Sequence, residues 1–160
     1  MDLKQQLQDQ EQRLQFDRFT NDDAWRLGSL LVQLAREGAL AVTIDIRRSG
    51  QQLFHCALPG TTLDNDTWIE RKNRVVERYG RSSFHVGQLH RDNGTTFEEA
   101  TAHLDRSQYA AHGGAFPIRV RDVGVVGTVT VSGLPQAEDH ALVVKALEHF
   151  LSQGADGSAA

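Results

Sequence analysis

The stretch Ala41-Val42-Thr43-Ile44-Asp45-Ile46-Arg47 alternates apolar and polar side chains, and beyond Ser49-Gly50 a second run follows, Gln52-Leu53-Phe54-His55-Cys56-Ala57-Leu58. Alternation with a period of two on both sides of a Ser-Gly turn marks a β-hairpin with one buried face. A three-residue loop ending near Gly50 or Gln51 sets Ile46 opposite Phe54, Ile44 opposite Cys56 and Val42 opposite Leu58. One face is then wholly apolar, whereas a slip of one residue would mix the faces. The same register places Asp45 opposite His55 on the other face, where an acid and an imidazole can pair.

Working outward, a second hairpin is expected from Pro117-Ile118-Arg119-Val120 and the run Gly124 to Val131, closed near Asp122. Helices surround the two hairpins. Residues 2–15 form a polar helix whose Leu3, Leu7 and Leu14 make a thin apolar stripe, suited to docking on its own domain or on another subunit. Thr20-Asn21-Asp22-Asp23 caps a second helix that carries Trp25, Leu27, Leu30, Leu31, Leu34 and Ala35 and stops at Gly38. A third is expected from Thr67 to Tyr79, capped by the loop Asp64-Asn65-Asp66 and stopped by Gly80. Between Arg81 and His112, Ser83-Phe84-His85-Val86 reads as a short strand and Thr96 to about Leu104 as a helix. The last helix starts at Pro135, a favoured first position, and runs to about Leu151. Paired hairpins covered by apolar helices make an α+β layered domain over residues 1–153, with a disordered tail at 154–160.

Composition narrows the function. The chain of 160 residues has a formal net charge of -4, so it lacks the basic footprint of a nucleic-acid binder. Cys56 stands alone, which excludes an internal disulfide and a multi-cysteine zinc site. No run of apolar residues is long enough for a membrane span, and the polar start Met1 to Gln6 carries no signal-peptide core. A cytoplasmic location is expected.

A few residues invite a functional reading beside a plain one. Lys72 falls inside the apolar stripe Trp68, Ile69, Val75, Val76, Tyr79. Such a lysine either snorkels to water or is held in a pocket as a cation for a carboxylate or phosphate, with Arg71 beside it. His112 precedes Gly113-Gly114, where the backbone turns tightly or approaches another group, and serves as a turn histidine or as a ligand or base. His140 lies on the buried stripe of the last helix, where the positive helix end would favour its neutral form. Asp139 reads as a helix N-terminal acid, and Ser132-Gly133-Leu134-Pro135 exposes backbone donors that suit an anion. Cys56 reads as a small core residue. His85, His90 and His103 make no metal-binding spacing.

Three stretches carry a family resemblance: Asp64 to Lys72, His112-Gly113-Gly114-Ala115-Phe116-Pro117-Ile118, and Gly124 through Ser132-Gly133-Leu134-Pro135 to Asp139-His140. The double glycine before a proline, the glycine-punctuated strand and the Ser-Gly ahead of an acidic helix resemble the GlcG/HbpS-like haem-degrading-domain family. The Trp-bearing Arg-Lys helix, the His-Gly-Gly and the Asp-His resemble its poorly characterised branch. The resemblance implies a profilin-like layered domain with an antiparallel sheet of about five strands flanked by helices, and a homo-oligomer. Since relatives bind haem or a corrinoid-linked partner, it also implies haem as a cofactor, although no single residue matches a shared axial ligand. The site expected is a cleft near Gly113 and Gly114, lined by Arg71, Lys72, His112 and His140, for haem or another anionic small molecule. The alternatives are an oligomeric interaction module that contacts partners through the leading helix, and an enzyme using His112 as a base on a small acid.

Overall fold

The computed structural model describes residues 1–157. Two helices lead, α1 (Leu3–Arg13) and α2 (Asn21–Glu37), followed by the hairpin of β1 (Thr43–Arg48) and β2 (Gln51–Ala57). Three helices come next, α3 (Leu63–Tyr79), α4 (Ser83–Asp92) and the single turn α5 (Phe97–Ala100). The hairpin of β3 (Ala115–Val120) and β4 (Gly124–Ser132) and the closing α6 (Gln136–Gly157) complete the chain. The expected tail falls partly on residues 158–160, which lie outside the described residues. No helix among the described residues is long and apolar enough to cross a membrane.

The sheet has four antiparallel strands in the order β2-β1-β4-β3, one fewer than the family resemblance implies. Ile44 pairs with Cys56, Ile46 with Phe54 and Asp45 with His55, as the alternation demands. The loop is nevertheless shorter than expected. Arg48 pairs with Gln51 across a two-residue turn in which Ser49 and Gly50 both have positive φ, and the register shift between Ile46 and Arg47 absorbs Leu53. A tight turn matches strand twist, and the bulge restores the parity that keeps the apolar side chains together.

Alternation gives the sheet two unlike faces. Ile44, Ile46, Val129, Val131, Phe116 and Ile118 are all at most 1% exposed and pack with α2 and α6 into the main core. The opposite face presents Thr43, Asp45, Thr128, Thr130 and Ser132, and α3 covers it. Hydrogen bonds join α3 to that face at Asp45 and Thr130, while the Thr43 and Thr128 hydroxyls are buried without a partner among the described residues. Asn73 of α3 donates to Asp45 at 3.3 Å and accepts from the Thr130 hydroxyl, while Gln52 donates to Asp45 at 2.7 Å. Although the two residues are opposite in the register, the Asp45 carboxylate therefore does not bond the His55 ring, whose Nε2 lies 2.7 Å from Asp66.

Other boundaries follow local chemistry. Thr20 and Asp23 form a capping box at the start of α2. Gly80 ends α3 in the left-handed region, with φ of 68°. That helix begins four residues before the expected Thr67, because Asn65 accepts from the Thr62 N–H at 2.9 Å and so takes Asp64 and Asp66 into the first turn. Ser83-Phe84-His85-Val86 is helix, not strand. Ser82 caps α4 by accepting from the His85 N–H, and all four residues are buried, so alternation carried no information there. The helix expected from Thr96 shrinks to one turn, and α6 begins after Pro135 and extends past Leu151.

Ile44 is wholly enclosed by this core. An Ile44→Ala variant should lose about 2–5 kcal/mol in urea unfolding. A loss below about 1 kcal/mol would contradict its place in the main core.

Candidate functional site

A cleft of about 220 Å³ opens between the N-terminal half of α3 and the start of α6. Its lining includes Asn65, Trp68, Lys72, His112, Gln136 and Asp139. Lys72 is at its base and is only 3% exposed. The lysine neither snorkels nor stands free. Its Nζ donates to the Val131 carbonyl at 3.1 Å and to Asp139 Oδ2 at 3.2 Å. An ammonium has three N–H donors, so one remains beyond these two bonds.

Asp139 does more than favour a helix start. Its Oδ1 accepts from the Leu134 N–H at 3.0 Å and its Oδ2 from the Gly133 N–H at 3.3 Å. The backbone donors that the sequence offers to an external anion are thus filled by the chain's own carboxylate. Burial lowers the Lys72 pKa, and the Asp139 charge and hydrogen bond oppose that shift. Burial likewise raises the Asp139 pKa against the pull of Lys72 and the two backbone donors. Each partner offsets part of the other's desolvation, while burial stays the larger influence on both.

Gly114 makes the pair sterically possible. Its φ is 137°, and a Cβ there would collide with the Val131 carbonyl oxygen and lie 2.7 Å from Lys72 Nζ. Gly113 donates to the Gln136 side chain at 3.0 Å, and a Cβ would strike the Gln136 carbonyl. The double glycine therefore lets one loop press against both β4 and the start of α6.

His112 is at the mouth of the cleft, its ring centroid 5.1 Å from that of Trp68. Desolvation lowers its pKa first, Glu98 opposes, and Lys72, Arg71 and Arg91 add to the lowering. The neutral imidazole is favoured, and its ring nitrogens make no hydrogen bond among the described residues. The expected companions do not all converge. Arg71 stacks over Trp68 at 4.5 Å and donates to the Arg106 carbonyl at 2.9 and 3.2 Å, so it serves the wall without lining the cleft.

His140 lies elsewhere, behind α1. Its Nε2 is 2.8 Å from Gln10 Oε1, its Nδ1 is buried without a partner among the described residues, and its ring packs against Phe84 and Phe116. Burial, with a smaller contribution from His85, lowers its pKa to about 4. Sequence reasoning saw the glycines, Lys72 and His112, but missed Asp139 as counter-ion and Gln10 as partner of His140. The Asp139 signal was present, an acid four residues after Pro135; the Gln10 contact had none.

Comparison with known proteins places the chain. Residues 19–148 match the family described as "Haem degrading protein HbpS-like", and the chain belongs to it. A UPF0303 protein of Streptomyces coelicolor is 66% identical over 92% of this chain and 93% of its own length. One from Psychromonas ingrahamii is 47% identical over 92% of each. The crystal structure of the Ybr137w protein superposes with a TM-score of 0.86 at 35% identity, covering 94% of this chain and 88% of that one. A PduOC:heme complex shares the fold with a TM-score of 0.67 at 18% identity, over 81% of this chain and 93% of that one.

The buried neutral His140 has a calculable consequence. A histidine whose folded pKa is depressed contributes stability that is fully present above its ordinary value near 6.5 and is lost as pH falls through about 4. That difference amounts to roughly 3 kcal/mol. Urea unfolding between neutral pH and pH 4 should show this extra acid loss in the wild type and not in His140→Gln. Equal losses in both would contradict the burial of a neutral ring.

Proposed function

We propose that this protein binds a small polar molecule in the cleft between α3 and α6, without forming covalent bonds to it. The observation that carries the reading is the buried Lys72 ammonium, which lines the cleft with one donor beyond those given to Val131 and Asp139. A ligand oxygen completes that donor set, and His112 and Trp68 offer a ring surface above it. Because Asp139 already neutralises Lys72, the cleft suits one carboxylate or similar acceptor group, not a highly charged anion.

Haem is supported by the family and by the PduOC:heme neighbour, yet the residues of this cleft do not fit it. A porphyrin needs a large apolar slot, whereas this space is about 220 Å³ and is floored by Lys72, Asp139, Ser132 and Asn65. The two propionates would also need two cations facing the space, whereas Arg71 does not line the cleft and the charge of Lys72 is already paired with Asp139. His112 is the one exposed histidine at the mouth able to reach an iron there, so it is the residue to vary.

Oligomerisation is a second element of the reading. Trp25 is 65% exposed and packs edge-on against Phe54 of the edge strand β2, leaving an aromatic surface beside unpaired strand hydrogen-bonding groups. The leading helix supports the interaction-module alternative less, since its Leu7, Glu11 and the following Leu14 are buried in its own chain.

Emission from Trp68, isolated in a Trp25→Phe background, reports the cleft. Acetate, oxalate and citrate at millimolar concentration should include at least one that changes it saturably, and His112→Ala should weaken that binding about tenfold or less while leaving the fold intact. No response to any of the three would contradict a carboxylate site. A haemin titration should show no saturable Soret shift dependent on His112; such a shift would overturn the small-ligand reading in favour of haem. Light scattering should give a mass above the 17.8 kDa of one chain, and a clean monomer would refute assembly.

A further inference from the structure

The opposite end of α3 carries a second cleft, about 510 Å³ in volume, which shares no lining residue with the first. Glu11 and Gln12 of α1 form one side, and His85, Arg81 and Arg119 form much of the other. The helix that closes it precedes residue 19, where the family match begins.

Its centre is a carboxylate-fixed imidazole. Glu11 is 8% exposed and His85 3% exposed, and Nδ1 of His85 lies 2.6 and 2.8 Å from the two Glu11 oxygens. The Ser82 N–H donates to the same carboxylate at 3.3 Å. A carboxylate is an acceptor only, so Nδ1 carries the proton it receives, and in the neutral ring Nε2 keeps the lone pair. Nε2 makes no hydrogen bond among the described residues.

Two arginines line the same cleft as this ring. Arg119 donates one N–H to the Gly80 carbonyl at 2.8 Å and retains the others. Arg81 makes no hydrogen bond or ion pair among the described residues. Glu11 is the only acid lining the cleft, and both of its oxygens are engaged. In a chain of net charge -4, this is a local concentration of unneutralised positive charge beside a positioned acceptor. Arginine forks match the geometry of phosphate and carboxylate oxygens.

We propose that this cleft is a second binding site, for a small oxyanion that also carries a hydroxyl, such as a hydrogen phosphate or a hydroxycarboxylate. The oxyanion lies between Arg81 and Arg119, and the hydroxyl donates to His85 Nε2. Glu11 is a positioning residue, since it acts on the ligand only through the imidazole. The site is independent of the carboxylate reading of the first cleft.

The test follows the ring signals of His85 by NMR at fixed pH, assigned with a His85→Gln variant, during titration with inorganic phosphate, lactate and sulfate. Phosphate should shift His85 saturably at millimolar concentration with the His112 signals unmoved, and lactate should shift His85 whether or not it also enters the first cleft. Arg81→Gln, at an exposed position, should weaken that binding about tenfold, the value of one charge-assisted contact. Sulfate, which has no hydroxyl to donate, should bind more weakly than phosphate. A silent His85, or an affinity unchanged in Arg81→Gln, would overturn the site. A sulfate affinity equal to that for phosphate would overturn the role given to Nε2.

Discussion

The buried contact between Lys72 and Asp139 ties three elements to one point. It joins the middle of α3 to the first turn of α6 and, through the Val131 carbonyl, to the end of β4. Taking an ammonium and a carboxylate out of water is costly, and either group alone would be left uncompensated. Geometry offsets part of that cost: Gly133 and Leu134 N–H groups hold the acid, and Gly114 leaves the space the lysine needs. The cleft exists because these groups converge, and its chemistry is set by their being a neutralised pair.

The same logic runs through the polar side of the sheet. The apolar face is sealed by α2 and α6 in the ordinary way, by burying branched and aromatic side chains. On the other face, Asp45, Asn73, Thr130 and Gln52 bond to one another, while Glu70 of α3 reaches Arg47 at 2.6 Å. Directional bonds fix the position of α3 more narrowly than apolar contact would, which keeps Lys72 and Trp68 in place over the cleft. α1 repeats the device on a smaller scale by giving Glu11 to His85 and Gln10 to His140.

Much of this was legible in the chain. Strict alternation in Ala41–Leu58 set the hairpin register, because parity assigns every side chain a face, and even the unforeseen bulge preserved that parity. Capping residues marked α2, and Gly80 marked the end of α3. Within the segment from Arg81 to His112, the start of α4 was not legible, since Ser83 to Gly87 are all buried and show no period, and Ser82 as an N-cap was the local clue to a helix there. For the site, Lys72 stood out as a charge inside an apolar stripe, and His112 by its glycines. The grouping of Arg71 and His140 with them failed because neighbours in a motif need not share a direction: Arg71 turns to the Arg106 carbonyl and His140 to Gln10. Contacts such as these join residues far apart in sequence, and no local pattern encodes them.

The measurement that tests this account most directly is a double-mutant cycle on Lys72 and Asp139, read by urea unfolding. Lys72→Met and Asp139→Leu should each cost about 3–5 kcal/mol, because each leaves a buried charge or its donors uncompensated, and the double variant should recover much of that loss. Additive costs in the double variant would show that the two groups do not depend on each other, and would contradict the pair as the element on which the cleft is built.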